Sequence, residues 1–276
     1  MKEILIISNL TLNGNVNLNT ILNVMSSFDF KISILPLSIT PTIDSNNTID
    51  ETDNLENIIN EFKEKNIKFD SIYLSGIHNR ESEKYIIMIK EELLKENGLF
   101  IVDPNIGKNG SLLEKYDEGI IMSMMNIVSI SDYVLPNITE AMLLTNNRKY
   151  EDIQDDYYVN ELISDLYRNG SKNVILTSYQ DDEYSIGCVA YDGLTKTTVL
   201  KEKMDSNLLG VGDIFKAYVA STIILEKPIK ESLDLATEFV MSSIDDTLTN
   251  YSNSKEIIFE NSLKDYTHIK PNPGWN

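Results

Sequence analysis

Cysteine is nearly absent from this chain of 276 residues: Cys188 is the single one. No intrachain disulfide can form, and no cage of thiolates can hold a metal. Histidine is almost as scarce, with only His78 and His268, and no His/Cys metal-ligand spacing results. His78 falls in a loop pattern and reads as a solvated side chain; His268 reads as an inert tail residue. Basic residues are few as well: 24 Lys and Arg stand against 43 Asp and Glu, a formal net charge of −19. Nucleic acid and anionic membranes both need a basic footprint, so this balance argues against either partner. No apolar run approaches the roughly 18 residues of a membrane-spanning helix. The opening run Ile4-Leu5-Ile6-Ile7 is too short for a signal-peptide core. The resulting expectation is a cytoplasmic protein. A Walker A string is missing, and Asn15-Val16-Asn17 after Gly14 lacks the dinucleotide fingerprint.

What is present is an alternation of short apolar runs with helical patterns. Residues 4–7 are all aliphatic, which suits a strand buried on both faces of a parallel sheet. Helices are expected over 15–28, 52–65, 81–97, 118–128, 138–144 and 159–168, with 52–65 capped by Thr52 or Asp53. Strands are expected over 31–35, halted by Pro36, and over 71–74, 99–102 and 133–135. The Ser/Thr/Pro/Asn-rich stretch 38–48 reads as a mobile flap. Strands then follow at 173–177, 184–191 and 196–200, the last two joined through Asp192-Gly193 as a hairpin. Two helices close the pattern, over 211–225 and 229–248. The fold class is α/β, a mainly parallel central sheet flanked by helices, with a β-rich stretch before the last helices. No repeat or composition break divides the chain, so the expected organisation is one domain over 1–264 and a tail over 265–276.

Four places carry groups suited to chemistry. Gly210-Val211-Gly212-Asp213 opens the helix of residues 211–225. Glycines there expose successive N–H groups at the positive end of the helix, which makes an anion hole. Asp213 beside an anion needs a task, and accepting the proton of an attacking hydroxyl is one. An ordinary turn with a helix-start carboxylate fits the same string. Asp103-Pro104 ends the strand 99–102, where a carboxylate can hold Mg²⁺ through water; it also fits a plain Asp-Pro turn. Asn137 and Glu140 begin a helix, and either cap it or face a metal-bound triphosphate. Thr177 and Ser178 offer hydroxyls at another strand end. Cys188, in a strand, reads as a small core residue. Convergence of strand ends from one sheet is what an active site of this class looks like.

Together these motifs resemble the ribokinase superfamily, and within it the vitamin B6 kinases, along most of the chain. Asp103-Pro104-Asn105-Ile106-Gly107-Lys108-Asn109-Gly110 is similar to the family's Asp-Pro-Val-Met-Gly-Asp-Asn-Gly. The run Ser131-Asp132-Tyr133-Val134-Leu135-Pro136-Asn137-Ile138-Thr139-Glu140-Ala141 resembles its Ala-Asp-x-x-x-Pro-Asn-x-Thr-Glu-Ala. Gly210 to Asp213 matches Gly-x-Gly-Asp, and Ile72-Tyr73-Leu74-Ser75-Gly76 resembles the strand that ends in Ser/Thr-Gly. The resemblance implies ATP-dependent phosphorylation of the 5′-hydroxymethyl group of pyridoxal, pyridoxamine or pyridoxine, with ATP and Mg²⁺ as cofactors, in a homodimer. It implies Asp213 as catalytic base and Gly210, Val211 and Gly212 as anion hole. Asp103, Asn137, Glu140, Thr177 and Ser178 would serve ATP, Asp103 and Glu140 the metal, and Thr11 and Asp213 the substrate. Two departures stand out: Asn105 and Lys108 replace the family's Val and Asp, and residues 35–44 lack its His-Thr. Other readings are a kinase of hydroxymethylpyrimidine or a sugar-like alcohol, and a non-catalytic B6- or nucleotide-binding protein.

Overall fold

Residues 4–7 form the buried middle of β1 (Glu3–Asn13). Alternate side chains serve opposite faces of the sheet: Ile4 and Ile6 enter one core, Leu5 and Ile7 the other. The computed structural model describes residues 1–45, 47–145, 153–204 and 206–267. After β1 come α1 (Leu18–Ser26), β2 (Lys31–Thr42), β3 (Ile49–Asp50), a 3₁₀ turn (Thr52–Asn54), α2 (Leu55–Glu64) and β4 (Phe69–Ser75). Then follow α3 (Ser82–Leu93), β5 (Leu94–Asp103), the small strands β6 (Gly107–Lys108) and β7 (Ser111–Leu112), and α4 (Gly119–Ser129). The second half runs β8 (Tyr133–Val134), α5 (Ile138–Leu144), α6 (Asp156–Arg168), β9 (Val174–Tyr179), β10 (Ser185–Tyr191) and β11 (Lys196–Glu202). It closes with α7 (Val211–Ile224), α8 (Ile229–Asn250) and α9 (Glu260–Tyr266).

A 9-stranded sheet carries the order β11-β10-β9-β8-β5-β4-β1-β2-β3. Pairings from β2 through β9 are parallel, while β10, β11 and β3 join antiparallel. Side chains of α2 to α6 pack on one face, and those of α1, α7 and α8 on the other. This is the expected α/β architecture. Cys188 is buried in β10, as expected of a core residue.

Several boundaries differ from the sequence reading. Pro36 does not stop β2, which continues through Pro41. A proline costs a strand only the bond its N–H would donate, and β3 pairs with β2 only at Ser38 and Ile39. The first part of the expected flap, residues 38–42, is therefore strand. The helix expected to reach residue 97 ends at Leu93, because Leu94 already pairs with Phe69 of β4. Neither Thr52 nor Asp53 caps α2; Thr52 donates its own N–H to Asp50 instead. Part of the expected tail is α9, and residues 268–276, with His268, lie outside the described residues.

Candidate active site

Parallel pairing brings the carboxyl ends of β1, β4, β5 and β8 to one edge, where ligands of open α/β sheets bind. Thr11 lies at the end of β1, Ser75 ends β4, Asp103 ends β5, and Asn137 follows β8. Thr177 of β9 forms a parallel bridge with Asn137, its N–H donating to the Pro136 carbonyl at 2.8 Å. Ser178 next to it is exposed, with φ +61°. Asn137 and Glu140 form a complete capping box on α5: the Glu140 N–H donates to Asn137 Oδ1 at 2.9 Å, and the Asn137 N–H donates to Glu140 Oε2 at 2.8 Å. The capping reading of that pair is therefore present in full.

Lys216, which sequence reasoning missed, stands between the two acids. Its Nζ lies 2.6 Å from Asp103 Oδ1 and 3.5 Å from Glu140 Oε2, with all three side chains at most 8 % exposed. Asp103 Oδ2 accepts from the Ser75 hydroxyl at 3.0 Å, and Glu140 Oε1 accepts from the Ile106 N–H at 3.1 Å. Every carboxylate oxygen of the pair already has a donor. Burial pushes the Glu140 carboxyl up, against the pull of Lys216. Burial also opposes the Lys216 charge, but Asp103 and Glu140 outweigh it and raise the ammonium above its ordinary value. The signal available in the sequence was a lysine in a helix buried all round from Lys216 to Ile224, where an ammonium needs partners.

The sequence reading put Mg²⁺ on Asp103 and Glu140, and the residues present do not fit that. The place between the carboxylates is taken by the ammonium. A divalent ion about 4 Å from it would meet roughly 8 kcal/mol of repulsion at an effective dielectric near 20. Among the described residues, no group of three or more His, Cys, Asp and Glu could hold a metal ion.

Asp213 lies in the first turn of α7, one helical turn before Lys216. The Asn17 N–H donates to its Oδ2 at 2.9 Å. Burial and the neighbouring Asp103 raise the Asp213 carboxyl to about 6, against the Asn17 N–H, Lys216 and Lys108, which lower it. Gly210 caps α7 with φ +88°, and a Cβ there would lie 2.7 Å from the Asn15 carbonyl oxygen. A Cβ at Gly212 would meet nothing within 4 Å. The N–H groups of the first turn have no partner within the helix, and Gly212 among them is exposed. Asn17 also reaches Thr11 Oγ1 at 3.3 Å and accepts from the Asn105 amide at 3.3 Å, tying the ends of β1 and β5 together. Asn17 was likewise missed, and Asn105 was singled out only as a departure from the family pattern; both have positive φ, a conformation that asparagine tolerates.

Asn109-Gly110 forms the two-residue turn between β6 and β7, with both φ positive. That turn is pinned by the Gly110 N–H donating to Thr139 Oγ1 at 2.9 Å, and Lys108 beside it is exposed. A separate cavity of about 430 Å³ is lined by Asp50, His78, Asn79, Lys115 and Tyr116, and by none of the three acids above. His78 is half-buried there, its Nε2 3.7 Å from Asp50 Oδ2, rather than simply solvated.

The profile of the family described as phosphomethylpyrimidine kinase matches residues 76–257, well over half of the chain. The chain belongs to that family. It is a kinase, a phosphotransferase with an alcohol acceptor. No curated protein matches this sequence significantly. Among solved structures, this kinase resembles a candidate phosphomethylpyrimidine kinase from Bacteroides thetaiotaomicron, crystallised with pyridoxal. The two share 24% identity and a TM-score of 0.89, over 96% of this chain and 95% of that one. Pyridoxal kinase from Lactobacillus plantarum has 20% identity and a TM-score of 0.86, over 96% of each chain. Pyridoxal kinase from Staphylococcus aureus in complex with ADP has 20% identity and a TM-score of 0.74, over 89% of each chain. At these identities the likeness establishes the ribokinase-like fold of the B6 kinases.

Proposed function

We propose that this kinase transfers the γ-phosphoryl group of ATP to the 5′-hydroxymethyl group of a B6 vitamer: pyridoxal, pyridoxamine or pyridoxine. The observation that carries the proposal is Asp213, a carboxyl raised to about 6 in the first turn of α7, at the N-terminal end of that helix. A base with that value is mostly ionised at neutral pH, yet close enough to it to accept a hydroxyl proton. The proton of the acceptor alcohol passes to Asp213 as its oxygen attacks phosphorus and the bond to ADP breaks. The N–H groups of Gly212 and its neighbours stabilise charge on the transferring phosphoryl. Asn137, Thr177 and Ser178 are assigned to the nucleotide side, and Thr11 to the acceptor side. Asp103 and Glu140 shape the same floor through Lys216. ATP enters as its Mg²⁺ salt, so that metal is part of the substrate. Relatives of the same fold bound to pyridoxal and to ADP support the pairing of acceptor and donor.

Purified protein with ATP, Mg²⁺ and each vitamer tests the proposal; absence of phosphorylated product from all three would overturn it. A second reading, hydroxymethylpyrimidine as acceptor, is decided by including it in the same panel beside the phosphomethylpyrimidine that the family description names. We extend the proposal to a cytoplasmic homodimer with one kinase unit over 1–264 and a tail over 265–276. Sedimentation of the purified chain checks the dimer.

A further inference from the structure

Two carboxylates as buried as Asp103 and Glu140 require a nearby positive charge. Among the described residues, Lys216 is the cation that pairs with both acids. Lys216 arrives from α7, while the acids come from β5 and α5, so the contact joins both sides of the sheet's carboxyl edge. Alanine or another small residue at 216 would leave the acids facing each other across a space rimmed by oxygens, the donor type of hard divalent ions.

We propose that the Lys216 ammonium is a built-in counter-ion in the place of a divalent cation between Asp103 and Glu140. The kinase then holds no resident divalent ion at that pair, and the only divalent metal in its reaction arrives on the nucleotide. The inference deepens the phosphoryl-transfer reading and rests on it for its catalytic consequence. Its test is made without nucleotide and without turnover, so the two can fail separately. Lys216 is a positioning residue in this scheme: it fixes the two acids and touches no reacting atom.

The probe is Mn²⁺ alone, titrated into nucleotide-free protein at high KCl to screen the acidic surface, with free Mn²⁺ read by electron paramagnetic resonance. Wild-type protein is expected to show no site that depends on Glu140. Lys216→Met, which keeps most of the side-chain volume, is expected to gain one Mn²⁺ per chain, and Lys216→Met/Glu140→Gln to lose it. A wild-type Mn²⁺ site abolished by Glu140→Gln would overturn the inference, as would a folded Lys216→Met protein that gains none. If Lys216→Met does not fold alone, its circular dichroism is followed as Mn²⁺ is added. Recovery of the native spectrum supports the stand-in role, and no recovery overturns it.

Discussion

Asn17 and Asp213, 196 positions apart in the chain, meet through a backbone N–H that donates to the carboxylate at 2.9 Å. The donor precedes α1 and the acceptor opens α7, so the bond ties together the starts of two helices that pack on the same face of the sheet. Side-chain rotation at Asn17 cannot remove this donor, so Asp213 is held in one orientation.

Asp213→Asn is expected to retain the fold and ligand binding while kcat falls by roughly 10²–10⁴, the usual weight of a general base. Steady-state kinetics on the preferred vitamer check this. A loss confined to KM would remove Asp213 from the chemical step.

The raised carboxyl sets a pH dependence. Its folded value, about 6, lies above the ordinary 3.8, so the base is lost as pH falls through about 6 and kcat/KM falls with it. The stability effect has the opposite sign. Where the carboxyl is ionised in both states, its raised value costs stability, and that cost is relieved as pH falls from about 6 toward 3.8. Asp213→Asn is therefore expected to raise Tm at pH 7 and to flatten the acid limb of any residual rate profile. Thermal melts across pH check both.

The glycines of the motif separate by their surroundings. Gly210→Ala forces φ +88° on an alanine and drives its Cβ to 2.7 Å from the Asn15 oxygen. A loss of stability of about 1–3 kcal/mol is expected, together with loss of activity. Gly212→Ala meets nothing within 4 Å, so its Tm should stay near wild type while its methyl group enters the space before Asp213. A fall in kcat/KM with unchanged urea denaturation is the expected pattern.

Asn137→Ala removes the side-chain half of the capping box and the bond from its amide to the Gly107 carbonyl at 2.9 Å. A cost of about 1 kcal/mol is expected from the cap alone, measured by urea unfolding. If Asn137 also faces the nucleotide, KM for ATP rises in Asn137→Ala and recovers in Asn137→Asp only in part, because aspartate caps equally well but repels phosphate.

Much of the fold was legible because buried parallel strands and core-facing helices impose different spacings on apolar residues. Residues 4–7 of β1, the stripe on α8 and the Asp192-Gly193 turn between β10 and β11 are cases where that local signal held. It failed where tertiary pairing overrode propensity. Lys95-Glu96-Asn97 continues a helical pattern, yet β5 starts at Leu94 because β4 offers a partner. Asn109-Gly110 carried a legible hairpin signal inside a string read for its carboxylate and its family likeness.

Gly210 to Asp213 illustrates the remaining division. By itself the sequence determined the residue types: two glycines, a helix start, and acids at strand ends, all governed by neighbours a few positions away. It left both an ordinary turn and an anion site open. Only the tertiary structure decided that Asp213 sits half-buried near Asp103 and that Lys216 fills the space between Asp103 and Glu140. Those relationships join residues up to 113 positions apart. They arise because the charge of a buried group must be matched in space, a requirement that chain spacing does not encode.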